Sequence, residues 1–306
     1  MSRLRQIIRR ILSKEEKAND QNRTDFDTLK LMMGKMFSNQ VKAVDSIESL
    51  HEVEFKVFSQ WGDDGIIQWL IHNIDFENKT FIEFGVSNYD EANTRFLLMN
   101  DNWSGFIMDG SSTNIEYIKK SDYYWKYDLT AKEAFINREN VNTLIKSSGF
   151  EKEIGILHID LDGNDYWIWE EIDAVSPTLL ILEYNSVFGS ERAITVPYDK
   201  NFVRTEAHYS NLYFGASLLA LCELSEKKGY RFIGCNSAGN NAFFIRKDRM
   251  NDKIKELSPK NGYVMSKGRE SRDKDGKLTF VTGDARAEII RGLPVIDTRT
   301  NKPEEF

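Results

Sequence analysis

Three carboxylates close a short apolar run in Leu157-His158-Ile159-Asp160-Leu161-Asp162-Gly163-Asn164-Asp165, and a helix-like stretch, Tyr166 to Ile172, begins at once. Side chains alternate along a strand, so His158, Asp160 and Asp162 face one way while Ile159 and Leu161 face the other. A second apolar run, Thr178-Leu179-Leu180-Ile181-Leu182-Glu183, ends the same way, with Glu183 and Asn185 on one face. If the two strands are neighbours, Asp160, Asp162, Glu183 and Asn185 meet at their carboxyl ends. Oxygen ligands of this kind suit Mg²⁺ or Mn²⁺, which would acidify and orient a bound hydroxyl. In the metal-free alternative Asp160 acts alone as base or amine ligand, and Asp162 and Asp165 cap the following helix. His158 reads as a satisfied core histidine.

Such clusters belong at the carboxyl edge of a buried parallel sheet, and from residue 55 the chain alternates helices with short apolar strands. We expect a helix over 65–73 opened by Asp63 and Asp64, strands at 80–85 and 105–108, and a helix from Asn93 to Asn100. A third strand is placed at Tyr123 to Tyr127, and the fourth and fifth at 154–160 and 178–183. A helix over 216–228 and a strand pair, 230–235 with 241–246, close the unit. The fold class is thus α/β, a Rossmann-like, mostly parallel sheet.

The turn after the first strand, Glu83-Phe84-Gly85-Val86-Ser87-Asn88, brings small residues to a helix start, where backbone N–H groups favour a carboxylate or phosphate. Asp109 ends the second strand at the offset where an acid accepts hydrogen bonds from ribose. The glycine pattern for a pyrophosphate is broken at Ser87, so a nucleoside with an amino-acid end fits better than a dinucleotide. Glu83 suits its ammonium group, and Asn93-Thr94 offers donors to its carboxylate.

Taken in order, Ser59-Gln60-Trp61-Gly62-Asp63-Asp64-Gly65, Phe81-Ile82-Glu83-Phe84-Gly85, Asn93-Thr94-Arg95, Trp103-Ser104-Gly105, His158 to Asp165, Leu182-Glu183-Tyr184-Asn185, Gly215-Ala216-Ser217-Leu218 and Asn241-Ala242-Phe243-Phe244 resemble the FkbM-type class I S-adenosylmethionine-dependent methyltransferases. The resemblance spans residues 57–247. It implies a seven-stranded sheet with an antiparallel last strand, methyl transfer to an oxygen, and cofactor contacts at Glu83, Gly85 and Asp109. Gln60, Ser87, Thr94 and Asp160 are expected to complete the cofactor pocket. Ser87 departs from the glycine many methyltransferases carry, which alters the methionine-end pocket. The reaction asks for in-line placement of the acceptor and removal of its proton. Asp160 is the leading base and His208 the second.

Tyr184 to Phe214 is too long for a plain connection and is expected to cover the acceptor. Within it Tyr198, Arg204 and Tyr213, together with Asn185, suit a polyhydroxylated ligand, since rings stack on sugar faces and polar tips bond hydroxyls. The expected acceptor is a small molecule or glycan, foremost a sugar of a surface polysaccharide or glycolipid. Two other readings stand beside this one: a metal-assisted enzyme on a sugar or nucleotide ligand, and an inactive methyltransferase-like binding or assembly module.

The flanks divide the chain into a helical extension at 1–50, a catalytic domain at 51–250 and an extension at 251–306. Arg3, Arg5, Arg9, Arg10 and Lys14 interleave with Leu4, Ile7, Ile8, Ile11 and Leu12, a basic amphipathic pattern that fits peripheral contact with an anionic membrane or docking on a partner. A polar linker, 14–24, and a second helix around Phe26 to Met36 follow. Asp275-Gly276, between Tyr263-Val264-Met265-Ser266 and Leu278-Thr279-Phe280-Val281, signals a β-hairpin tail, which could cover the sheet edge, extend the acceptor site or join a homodimer. A net charge of −7 argues against nucleic-acid binding. Two cysteines, Cys222 and Cys235, fit a reducing cytoplasm, and no apolar run approaches the roughly 20 residues of a membrane span.

Overall fold

A computed structural model describes residues 23–306. The basic segment 1–14 lies outside them, as does nearly all of the 14–24 linker. Helix α1 occupies 23–42 of the described residues and lays Phe37 against Phe55, with ring centroids 5.8 Å apart. After a 3₁₀ turn at Leu50–Val53, α2 runs Asp63–Asn73. The sheet follows: β1 Thr80–Phe84, α3 Arg95–Asp101, β2 Ser104–Asp109, α4 Ser112–Lys120, α5 Asp122–Lys126, β3 Leu129–Glu133, α6 Val141–Lys146, β4 Glu153–Ile159, α7 Asp165–Glu171 and β5 Ser176–Glu183. Then come β6 Ile194–Thr195, α8 Arg204–Ala207, α9 Leu218–Lys227, β7 Tyr230–Cys235 and β8 Asn241–Arg246. The C-terminal region adds α10 Pro259–Gly262, α11 Asp284–Ile290, β9 Pro294–Asp297 and β10 Lys302–Glu305.

Seven strands form one sheet in the order β3-β2-β1-β4-β5-β8-β7. The first five strands pair in parallel, while β8 is antiparallel to both β5 and β7. This is the mostly parallel sheet with an antiparallel last strand. Strand alternation builds two cores. Ile82, Phe84, Leu157, Ile159, Leu180 and Leu182 enter one, and Phe81, Ile156, Leu179 and Ile181 enter the other. Burying each such side chain contributes about 1.5–3 kcal/mol. The same alternation sends Glu83, His158 and Glu183 to the side of Phe81, Ile156 and Ile181. Because β1 turns to β2 on one side and meets β4 on the other, the crevice of the fold opens beyond their carboxyl ends.

The third strand and the tail differ from expectation. Tyr123 to Lys126 lie in α5, and β3 comes after them. Tyr123, Tyr124 and Tyr127 all pack on the second core, a one-sided placement that a helical turn achieves and a strand does not. Asp275-Gly276 does turn the chain, but the only ladder around it is the isolated bridge Arg272↔Leu278. Leu278 and Phe280 stay exposed, so no second face stabilises strands there. The β-hairpin of the tail is β9–β10, which joins β6 in a separate three-stranded sheet. No described helix is long and apolar enough to cross a membrane. Both cysteines are buried free thiols.

Candidate active site

The turn leaving β1 is fixed from beneath by Glu83. Its carboxylate accepts hydrogen bonds from Asn93 N at 2.9 Å and Thr94 N at 3.1 Å, and from the Thr94 hydroxyl. His158 Nδ1 adds a fourth partner at 2.8 Å, with Asn93 Nδ2 on the other ring nitrogen at 3.4 Å. Burial would raise Glu83, but hydrogen bonds from His158, Thr94 and Asn93 outweigh it and hold the carboxyl below its usual range. His158 mirrors this: burial pulls it down, and the Glu83 bond and charge lift it above an ordinary histidine. Glu83 thereby satisfies N–H groups at the start of α3.

Gly85, just past β1, packs against the backbone of Asp160, just past β4. Its φ of +70° lies in the left-handed region, and a Cβ there would stand 1.7 Å from the Asp160 carbonyl oxygen. Only glycine permits this approach. Two cavities open around it. One, about 280 Å³, runs past Ser87, Asp109, Asn114 and Phe135 to Asp160 and Phe202. The other, about 410 Å³, runs past Gln60, Asn88, Asn93 and Asp160 to Asn240 and Asn241. Asp109 accepts from Ser87 N, Ser111 N and Asn114 Nδ2 at 2.8, 2.8 and 3.0 Å. A carboxylate has about four acceptor positions, so Asp109 keeps room for a ligand hydroxyl while holding the loop.

At the next strand ends the acids face one another. Asp160, Asp162 and Glu183 offer oxygens that all lie within 4.8 Å of one another. Asp160 is half-buried, Asp162 exposed and Glu183 buried. Burial, then the charge of Asp162, pushes Asp160 up to about 6. Burial, then the charge of Asp160, holds Glu183 well above the usual carboxyl range. Glu183 draws Asp160 part of the way back down, as a protonated neighbour does, and among the described residues Glu183 Oε2 has no hydrogen-bond partner. Asp165 is structural: its oxygens accept from Leu161 N at 2.7 Å and Gly163 N at 3.0 Å, closing the loop into α7. Burial followed by the Asp160 charge raises it to about 7. Asp162 caps nothing. It sits at φ 52° and pairs with Arg204.

A third cavity, about 350 Å³, adjoins the second through Gln60 and Asn240 and reaches Trp61, Glu183, Asn185, Arg204, Phe214 and Arg286. Arg204 stacks on Phe214, 3.8 Å from the ring centroid, and donates Nε to Asn211 O at 2.9 Å. Asn185 spends its amide on Leu212 O, Phe214 O and Val187 N, so it shapes the wall. The other expected acceptor residues line none of these three cavities. Tyr198 bonds Glu139 at 2.8 Å and packs on Trp167. Tyr213 joins a satellite core and donates to Pro294 O. His208 holds Ser210 Oγ at 2.8 Å, and burial followed by Lys274 lowers its pKa.

Other residues at this edge were not assigned to the site from the sequence. Asp63, fully buried, accepts from Asn236 Nδ2 at 3.1 Å and Asn241 Nδ2 at 3.2 Å, and burial raises it to about 6. This network anchors Asn240 and Asn241 behind the cleft. The antiparallel sense of β8 is the signal that brings its first residues to the active edge, level with Glu183. Arg286 arrives from α11 and carries no local signal.

No family model matches the chain, and no curated protein matches it. Among solved structures, the N-terminal domain of EvdMO1, crystallised in the presence of SAH and D-fucose, shares 11% identity over 69% of this chain and 94% of its own, with a TM-score of 0.39. An O-methyltransferase from Bacillus cereus in complex with SAH shares 13% identity over 55% and 72%, with a TM-score of 0.37. A SAM-dependent methyltransferase from Aquifex aeolicus shares 9% identity over 68% and 98%, with a TM-score of 0.32.

Proposed function

We propose that the protein is an S-adenosylmethionine-dependent O-methyltransferase of FkbM type, acting on a hydroxyl of a sugar in a surface polysaccharide or glycolipid. The observation that carries this reading is the run of adjoining cavities along the carboxyl edge of the seven-stranded sheet. It begins at Asp109, crosses Gly85 and reaches Asp160 and Glu183. The Gly85 turn and the spare acceptor position of Asp109 fit a nucleoside. The cavity past Gln60, Asn88 and Asn93 fits its polar amino-acid end.

When bound, the cofactor supplies a methyl group already activated by a sulfonium. What the chain must do is hold a hydroxyl beside it and take its proton. Asp160, between the cavities and raised only to about 6, is ionised at neutral pH yet basic enough to accept that proton. Trp61 and Phe214, with Gln60 and Asn240 near them, suit the faces and hydroxyls of a sugar. Residues 51–250 then form the catalytic body, and 251–306 complete the acceptor side.

A second reading of the acidic cluster follows from its all-oxygen donor set: Asp160, Asp162 and Glu183 suit a hard divalent cation such as Mg²⁺ or Mn²⁺. Calorimetry with S-adenosylmethionine and S-adenosylhomocysteine, with and without Mg²⁺, tests both. Binding of both nucleosides is expected. Failure of either to bind overturns the methyl-transfer reading, and Mg²⁺-independent binding and turnover removes the metal.

A further inference from the structure

The third cavity holds a buried cation without an anion. Arg286 is only 7% exposed. Its Nε has no hydrogen-bond partner, and among the described residues no carboxylate oxygen lies within 4.0 Å of its guanidinium. Removing a guanidinium from water costs several kcal/mol unless charge or hydrogen bonds return the loss. Burial, followed by the charge of Arg204, lowers its pKa. The neighbouring charges do not neutralise it. Arg204 is committed to Asp162 and Asn211 O. Glu270, on the same cavity wall, is taken by Arg272 and Asn211 at 3.2 Å each. Arg269, exposed at the rim, has among the described residues only the Phe280 ring beneath it, 5.9 Å from the centroid.

We propose that Arg286, with Arg269 at the rim, is the anion subsite of the acceptor cavity, so the acceptor is an acidic sugar bearing a carboxylate or a phosphate. A planar guanidinium fork matches either group in bidentate fashion. Glu183 lines the same cavity and belongs with Asp160 to the acidic cluster, so an anion held by Arg286 leaves the hydroxyls of the sugar to the acids. The subsite therefore fixes which hydroxyl of the sugar faces the methyl donor. It also assigns a task to the C-terminal region: α11 brings Arg286, and the segment before it brings Arg269 and Glu270, to a cleft that Glu183 enters from the sheet. The word acceptor rests on the methyl-transfer reading, whereas the anion preference does not.

The test is a titration of the full chain, with and without S-adenosylhomocysteine, by glucose, glucuronate and glucose 1-phosphate. At least one anion is expected to bind about tenfold or more tighter than glucose, a difference of roughly 1.4 kcal/mol. Preference for glucuronate identifies a carboxylate, and preference for glucose 1-phosphate a phosphate. Arg286→Gln should abolish the preference and Arg269→Gln should reduce it. Because Arg269 is exposed, its variant is expected to fold even if the Arg286 variant does not, and Arg286→Lys keeps the charge as a further check. Equal affinity for all three sugars, no measurable binding of either anion, or a preference unchanged in Arg269→Gln, and in Arg286→Gln where that variant folds, overturns the proposal. Lack of S-adenosylhomocysteine binding alongside an intact anion preference would overturn the methyl-transfer reading alone.

Discussion

At the end of β1 a carboxylate is surrounded by donors, whereas at the ends of β4 and β5 carboxylates surround one another. Glu83 and Asp160 lie on the same edge of the same sheet, and the charges of both act on His158. Glu83 has backbone N–H groups, a hydroxyl and an imidazole on its oxygens, and its pKa is lowered. Asp160 lies among the oxygens of Asp162 and Glu183, and burial followed by the charge of Asp162 raises its pKa. The first arrangement is a finished piece of architecture that sets the turn. The second leaves raised proton affinity at the edge of the cavities, which is what a site of chemistry requires.

The comparison breaks most visibly in the stability of the β1 turn. Glu83→Ala strands His158 and three donors in the core, and removing one partner of a buried pair costs about 3–5 kcal/mol. Against the 5–15 kcal/mol that holds a typical domain together, we expect a large drop in Tm by calorimetry, with cofactor binding lost as the turn loosens. A variant that melts like the wild type would show that the Glu83 network is dispensable. Asp160→Asn should do the reverse. It relieves repulsion from Asp162, so Tm should hold or rise, while turnover falls about 10²–10⁴-fold through loss of a general base. Unchanged turnover in a methyl-transfer assay would remove Asp160 from the chemistry.

A smaller, pH-dependent effect separates the two regions further. Glu83 is lowered from 4.5, so the stability it contributes is present above that pH and is lost as pH falls through its folded value. Asp160 is raised from 3.8 to about 6, so its contribution is full below 3.8 and is lost as pH rises through 6. His158, raised from 6.5, also gives up its share on the alkaline side. Tm should therefore peak on the mildly acidic side and fall between pH 5 and 7. Asp160 accounts for on the order of 1–3 kcal/mol of that fall, and the slope should flatten in Asp160→Asn. An identical slope in both proteins would show that the acid cluster does not titrate as described.

How much of this was legible in the sequence depended on burial periodicity. The apolar runs at 80–85, 105–108, 154–160 and 178–183 marked four central strands, and strand alternation alone gathered Asp160, Asp162 and Glu183. Those features depend only on local pattern. Tyr198, Tyr213 and His208 were expected at the acceptor by residue type, but they sit in a long connection where nothing local tells a cavity-facing ring from a core-facing one. Arg286 was missed because it follows Glu183 by about a hundred residues, and only the packing of α11 brings the two to one cavity. Between these extremes stands Glu83: its position was evident, but two of the groups that fill it are backbone N–H, invisible in a string of side-chain types, and His158 reaches it from another strand.

The smallest expected effect decides what the acid cluster is. Asp162 is 56% exposed at its side chain and pairs with Arg204. An exposed ion pair contributes about 0–1 kcal/mol, so without a metal Asp162→Asn should change Tm by a few degrees at most. Turnover should also stay within about threefold of the wild type, since the lost neighbour charge alters only the affinity of Asp160 for its proton. If instead a divalent cation bridges Asp160, Asp162 and Glu183, removing one of three protein ligands should weaken the metal and lower turnover by tenfold or more, with activity returning as Mg²⁺ or Mn²⁺ is raised. Measuring kcat against metal concentration in wild type and Asp162→Asn therefore distinguishes a shared proton from a shared ion. A flat response in both proteins leaves the β4 and β5 carboxylates as a proton site, and a cation-dependent rescue makes them a metal site.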